Sequence, residues 1–185
     1  MASTLSNMLP LGTMAPGFIL YDTVSGEELS LFENRGDKAT VVFFICNHCP
    51  FVIHVNDELV KIANDYTKKK VSFLAISSND VLKYPDDAPH LMRKRALELK
   101  YPFPYLFDES QEVAKSYDAA CTPDIYVFDK NLKLVYRGQL DDSRPDNGIP
   151  VTGSDLRHAL DCVIDDKPNT RPQKPSMGCG IKWKV

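Results

Sequence analysis

Long apolar runs are the first thing this chain lacks: nowhere do about eighteen apolar residues follow one another, which excludes a membrane-spanning helix. Clustered positive charge is scarce too. Lysines and arginines are scattered apart from Lys68-Lys69-Lys70, and a net charge of -3 with a pI near 5.8 leaves no basic footprint for nucleic acid. The lysine triplet reads as the solvated end of a helix, where cations offset the macrodipole. Met1 to Gly12 shows no positively charged leader and no apolar core before a small-residue cleavage site, so a cytoplasmic protein is expected. There are no internal repeats and no low-complexity segments. Cysteine is sparse and odd in number; five are too few for a disulfide scaffold, and the second C-x-x-C that structural zinc sites commonly use is missing.

What is present suits one α/β domain. With 185 residues, 43% hydrophobic and 25% charged, the chain can bury a sizeable core, expected over about 17–166 with a tail over 167–185. Residues 1–16 read as an irregular lead-in. Phe18 to Tyr21 and Glu28 to Leu31 flank a turn at Val24-Ser25-Gly26 and predict a hairpin. Ala39 to Ile45 and Val71 to Ser77 are continuous β-branched and aromatic runs, as in parallel strands buried on both faces. Between them Val52, Val55, Leu59, Ile62, Ala63 and Tyr66 recur at helical spacing over 50–69, completing a right-handed βαβ unit. A polar stretch leads to a helix over 90–100, a strand over 103–107 and a helix over 110–117. The runs 125–128 and 132–136, joined by Asp129-Lys130-Asn131, predict a second hairpin and hence a mixed sheet. Ser154 or Asp155 is placed to cap a last helix to about 165.

The chemistry concentrates in F-F-I-C-N-H-C-P, residues 43–50. Strand, C-x-x-C, helix puts Cys46 just before the first helical turn, where unpaired N–H groups and the macrodipole favour a thiolate. This reading makes Cys46 the more exposed nucleophile and Cys49 the thiol that attacks a mixed disulfide formed there. Pro50 loses no hydrogen bond in a first turn. His48 is either a stabiliser of the thiolate or a plain loop histidine, and His54 has no assigned role. Farther on, Thr122-Pro123 is a candidate cis peptide before a strand.

These elements and motifs resemble the thioredoxin-fold redoxin superfamily. The match is closest to peroxiredoxin-like (AhpC/TSA-type) thioredoxin-family proteins carrying C-N-H-C-P-F, C-T-P-D, Y-R-G-Q-x-D-D-S-R-P and G-C-x-I-K-W-K, strings that stand here at 46–51, 121–124, 136–145 and 178–184. The resemblance implies a thioredoxin-like fold: a mixed central sheet flanked by helices, a strand-helix insertion between Asn79 and Phe107, an N-terminal hairpin and a C-terminal tail. It implies that Cys46 attacks, Cys49 resolves and Pro123 is the facing cis-proline, with Thr122 beside it. Two departures stand out. Thr40 occupies the place where thioredoxins carry a buried acid, and Val42 and Cys46 replace the proline and threonine of P-x-x-x-T-x-x-C.

If Pro123 starts its strand at the active-site end, the loop 138–152 rims the dithiol. Arg137 or Arg144 could then stabilise a thiolate, and Asp141 or Asp142 could orient His48. The competing reading is a solvated, turn-forming loop. Cys121 and Cys179 are candidates for a third redox thiol, Cys121 as a neighbour of Cys46 and Cys179 from a flexible tail. Cys121 can equally be a small buried apolar residue. Ile181 and Trp183 are expected to dock the tail end, and Cys162 to lie in the core.

The leading expectation is a thiol-disulfide oxidoreductase without cofactor or metal. Its partners would be a disulfide-containing protein or a small thiol or peroxide, with a thiol electron donor to reset it. A thiol peroxidase is the runner-up. Weighed below both are a zinc module built on Cys46 and Cys49 with Cys121, Cys179 or His48, and a non-catalytic binding domain.

Overall fold

The structure, a computed structural model, describes residues 3–184. Its main sheet has seven strands. In chain order they are β2 (Ile19–Asp22), β3 (Glu28–Ser30), β4 (Ala39–Phe44), β5 (Val71–Ser77), β6 (Tyr105–Phe107), β8 (Asp124–Asp129) and β9 (Leu134–Gly138). Across the sheet the order is β3-β2-β6-β5-β4-β8-β9, with β4-β5 and β5-β6 parallel and the other pairs antiparallel. This is a thioredoxin-like α/β fold.

Strand alternation divides the core. Val41 and Phe43 of β4 face the same side as Ile125 and Val127 of β8, under helix α1 (Pro50–Thr67), α2 (Pro89–Glu98) and α4 (Ser154–Ile164). Val42, Phe44, Tyr126 and Phe128 face the other side, covered by α3 (Glu112–Ser116) with Tyr117 and by Phe18 and Leu31. Both faces are sealed, which is why the central strands read as unbroken apolar runs. The strand predicted from Phe103 begins only at Tyr105, since Pro104 has no N–H for a ladder; its carbonyl accepts from Ala75 N–H instead. In the second hairpin Asp129 accepts the N–H groups of Asn131 and Lys133, which lengthens the turn and delays β9 to Leu134.

Two expectations need correction. The cap of α4 is neither Ser154 nor Asp155. Gly153 is the N-cap in the left-handed region at φ +65°, and its N–H and that of Thr152 donate to Asp141, both at 2.7 Å. A Cβ at Gly153 would lie 2.5 Å from Ile62, so the position demands glycine on two counts.

The lead-in and tail are also more ordered than read. Strands β1 (Ser3–Leu5), β7 (Cys121–Thr122) and β10 (Met177–Gly180) form a second, antiparallel sheet in the order β1-β10-β7. Such strands, rich in glycine and serine and without period-two patterning, carry no readable strand signal. Beyond β10, Ile181 is buried as expected, whereas Trp183 is 39% exposed. Lys182 N–H donates to Asn79 and Lys184 N–H to Gln111, so the segment is held through its backbone rather than by the indole.

Candidate functional site

The turn after β4 carries Cys46, Asn47 and His48, and Cys49 is the N-cap of α1 with Pro50 opening the first turn. All five cysteines are free thiols. Facing the pair is the cis Thr122-Pro123 bond. Cys46 Sγ lies 3.5 Å from Thr122 Oγ1, and Cys49 Sγ donates to the Thr122 carbonyl at 3.1 Å.

The charge within the pair falls opposite to expectation. The hydrogen bond from Cys46, then the Thr122 hydroxyl and the thiol and N–H of Cys179, outweigh burial and draw the Cys49 thiol down to about 4. Cys46 is pushed strongly up because it is the proton donor in that bond, is buried and faces Asp87. Nor is Cys46 exposed: it is 2% accessible and Cys49 0%.

The group that orients His48 is Asp87, which the sequence reading passed over. His48 Nδ1 lies 2.8 Å from Asp87 Oδ2, and the ring stacks on Tyr84 with centroids 5.5 Å apart. His48 is therefore a held histidine and not a free loop residue. Asp87 also accepts from Asn47 N–H at 2.7 Å and Asn79 Nδ2 at 2.8 Å. Burial pushes its carboxyl up, but donation from His48, Asn79 and Asn47 overrides that and holds it below the usual carboxylate range. His48 is raised in turn, by its pairing with Asp87. In the sequence Asp87 is one of two adjacent aspartates in a polar loop, and nothing local singles it out.

Other predicted residues are elsewhere. Arg137 is not at the dithiol: it points to the opposite face of the sheet, fully buried, 3.2 Å from the equally buried Asp124 and stacked on Tyr126. Antiparallel pairing with Tyr126 fixes that side, and the basic residue is absorbed by an internal ion pair. Loop 138–152 does reach the site's edge, where Pro123, Phe51, His54 and Arg144 line one cavity. Its charges serve the loop itself. Arg144 donates to Gln139 and to the carbonyls of Asp141 and Ser143, Asp141 caps α4, and Asp142 pairs with Lys174. Thr40 accepts from Gly36 N–H and is no substitute for a buried acid.

Cys121 is buried, donates to the Pro123 carbonyl at 3.6 Å, and is pushed up by burial and Asp124. Cys162 is only half-buried, beside His158, so its core placement does not hold. Cys179 is not on a flexible arm. It sits in β10 opposite Thr122, buried against Cys49. The metal-ligand set that the fold brings together differs from the one considered above: Cys46, His48 and Asp87 offer donor atoms within 4.8 Å of one another.

Comparison with known proteins agrees with this architecture. Residues 11–137 match the AhpC/TSA family. An uncharacterized conserved protein of Geobacillus kaustophilus is 61% identical with a TM-score of 0.98, the alignment covering 100% of this chain and 97% of that one. A hypothetical protein of Sinorhizobium meliloti is 44% identical with a TM-score of 0.96, covering 98% and 99%. The thioredoxin domain of a thiol-disulfide oxidoreductase from Bacteroides vulgatus, 23% identical with a TM-score of 0.58 over 70% of this chain and 89% of that one, shares the fold. No functionally curated protein matches. The chain belongs to the AhpC/TSA family, a redox-active enzyme family of thioredoxin fold. Among its described residues no helix is long and apolar enough to cross a membrane.

Proposed function

We propose that this protein is a thiol-disulfide oxidoreductase that works through Cys46 and Cys49. The observation that carries the reading is the placement of both sulfurs at the start of α1 and against Thr122, Cys46 Sγ 3.5 Å from its hydroxyl and Cys49 Sγ 3.1 Å from its carbonyl. A dithiol in which one thiol is drawn below the ordinary cysteine value is ready for exchange at neutral pH.

In this reading the charge rests on Cys49 until a substrate disulfide arrives. Proton transfer from Cys46 to Cys49 then delivers the thiolate to Cys46, which attacks one substrate sulfur and expels the other as thiolate. Cys49 gives up its proton and displaces the second substrate thiol, leaving a Cys46–Cys49 disulfide. His48, charged through its pairing with Asp87, supplies a proton to a departing thiolate, and Pro123 flanks the substrate backbone. A thiol donor resets the pair, and no cofactor enters. The proposed substrates are a disulfide-containing protein or a small disulfide, in the cytoplasm.

A second reading, a thiol peroxidase, is favoured by the depressed Cys49 alone: its thiolate would be oxidised by peroxide to a sulfenic acid, which Cys46 condenses with, releasing water. Stopped-flow mixing of reduced protein with a model disulfide and with hydrogen peroxide tests both. Fast disulfide consumption ending in a Cys46–Cys49 bridge supports the first reading; fast peroxide consumption through a sulfenic acid replaces it with the second.

A further inference from the structure

The Gly178-Cys179-Gly180 segment of β10 is built to bring one thiol against the candidate site. Cys179 lies directly opposite Thr122 in the β10-β7 register, and the Thr122 carbonyl is the acceptor for Cys49 Sγ. A Cβ at Gly178 would fall 1.8 Å from that carbonyl oxygen, so only glycine lets β10 approach so closely. Cys179 is 4% accessible and packs in the same apolar cluster as Cys46 and Cys49. It draws the Cys49 thiol down, and burial together with Cys49 raises its own thiol to about 11. The segment is anchored on both sides: Ser3 pairs with Cys179 across β1, and Lys182 N–H donates to Asn79, which also holds Asp87. Cys49 thus has two thiol neighbours, one before it in the C-x-x-C and one from β10.

We propose that Cys179 is a second resolving thiol for Cys49, so that the site alternates between a Cys46–Cys49 and a Cys49–Cys179 disulfide. The proposal rests on the dithiol reading above and adds a step to it. Once the Cys46–Cys49 disulfide has formed, Cys179 loses its proton and attacks Cys49 Sγ. The Cys49–Cys179 bond forms, the Cys46–Cys49 bond breaks, and Cys46 leaves as a thiolate that takes up the proton. Two electrons remain withdrawn from the protein throughout, so the exchange needs no further oxidant. Cys46 becomes a free thiol again while the oxidising equivalent is stored against β10, and the reverse attack by Cys46 on Cys49 returns it. Because the exchange is internal, the burial of Cys179 is no obstacle and shields the stored disulfide from bulk thiols.

The experiment uses the full-length chain, reduced and then treated with bis(2-hydroxyethyl) disulfide, with linkages mapped by mass spectrometry of non-reduced peptides. In Cys46→Ser, and in Cys46→Ala as a guard against a misfolded single variant, Cys49 attacks the probe directly and Cys179 expels 2-mercaptoethanol. The expected product is a Cys49–Cys179 cross-linked peptide, lost in the Cys46→Ser/Cys179→Ser double variant, where the Cys49 mixed disulfide persists. A persistent mixed disulfide with free Cys179 in both single variants overturns the proposal, as does a Cys49–Cys121 link. The wild-type protein reads the dithiol separately: a Cys46–Cys49 peptide there, with no Cys49–Cys179 link in either variant, removes the third thiol and leaves the dithiol standing. A wild-type protein that yields neither a Cys46–Cys49 nor a Cys49–Cys179 peptide removes the dithiol reading, and the alternation with it, even where the variants form the Cys49–Cys179 link.

Discussion

Asp87 and Asp124 are both completely buried carboxylates near a cysteine, and the protein treats them in opposite ways. Asp87 is surrounded by one titratable neighbour, His48, and two neutral donors, the Asn47 backbone amide and the side chain of Asn79, which also accepts from Lys182 just beyond β10. Asp124 has a permanent cation, Arg137, yet burial still pushes its carboxyl up to about 6, and Asp124 Oδ1 and Arg137 Nε and Nη1 have no hydrogen-bond partner among the described residues. An ion pair of that kind is specified by geometry and contributes little net stability, because desolvation offsets most of the attraction. The Asp87 side is different: it is paired with a histidine, which can gain or lose a proton near neutral pH. Burial and charge alone do not separate the two carboxylates; the titratable neighbour does.

The comparison can be broken most severely at the sulfurs. Cys49→Ser should reduce disulfide turnover to background in a coupled assay with a model disulfide, and should accumulate a Cys46 mixed disulfide visible by mass spectrometry. On the other face, Arg137→Met should leave Asp124 unpaired and cost about 3–5 kcal/mol in urea denaturation while the Cys49 thiolate midpoint stays put. A change in that midpoint would return Arg137 to the site.

Asp87→Asn should lower the His48 midpoint by about one to three units in an NMR titration, because a negative charge that favours the imidazolium is removed. The same change relieves Cys46, whose thiol Asp87 pushes up. The smallest effect is in pH. Absorbance at 240 nm should report a Cys49 thiolate present at neutral pH and lost only as pH falls through about 4, and Cys46→Ala should move that midpoint upward by deleting the donor. An unperturbed midpoint near the ordinary cysteine value would overturn the lowering of Cys49.

The periodicities of β4, α1, β5 and β8 were legible because their residues answer to one requirement, burial on a known face. The C-x-x-C at a helix start and Thr122-Pro123 were legible because local backbone constraints leave a mark on residue type. Asp87 was not, since its importance comes from a 3₁₀ turn (Pro85–Asp87) folding back on Asn47 and His48 across some forty residues. Arg137 misled for the opposite reason: its motif places it beside the site in sequence, and strand pairing turns its side chain away. β10 escaped because Met-Gly-Cys-Gly has neither alternation nor β propensity; backbone approach to Thr122 is what it was shaped for.

The β1-β10-β7 sheet also sets an order in time. Its register joins Ser3 to Cys179, nearly the whole described chain apart, and contacts of such long separation close after local ones. On a ribosome, where chains emerge from the N-terminus, the βαβ unit holding Cys46 and Cys49 leaves the tunnel long before β10 does. The newborn dithiol therefore spends its first seconds without the strand that later covers it. Arrival of that strand closes the site, setting Cys179 opposite Thr122 and beside the buried pair.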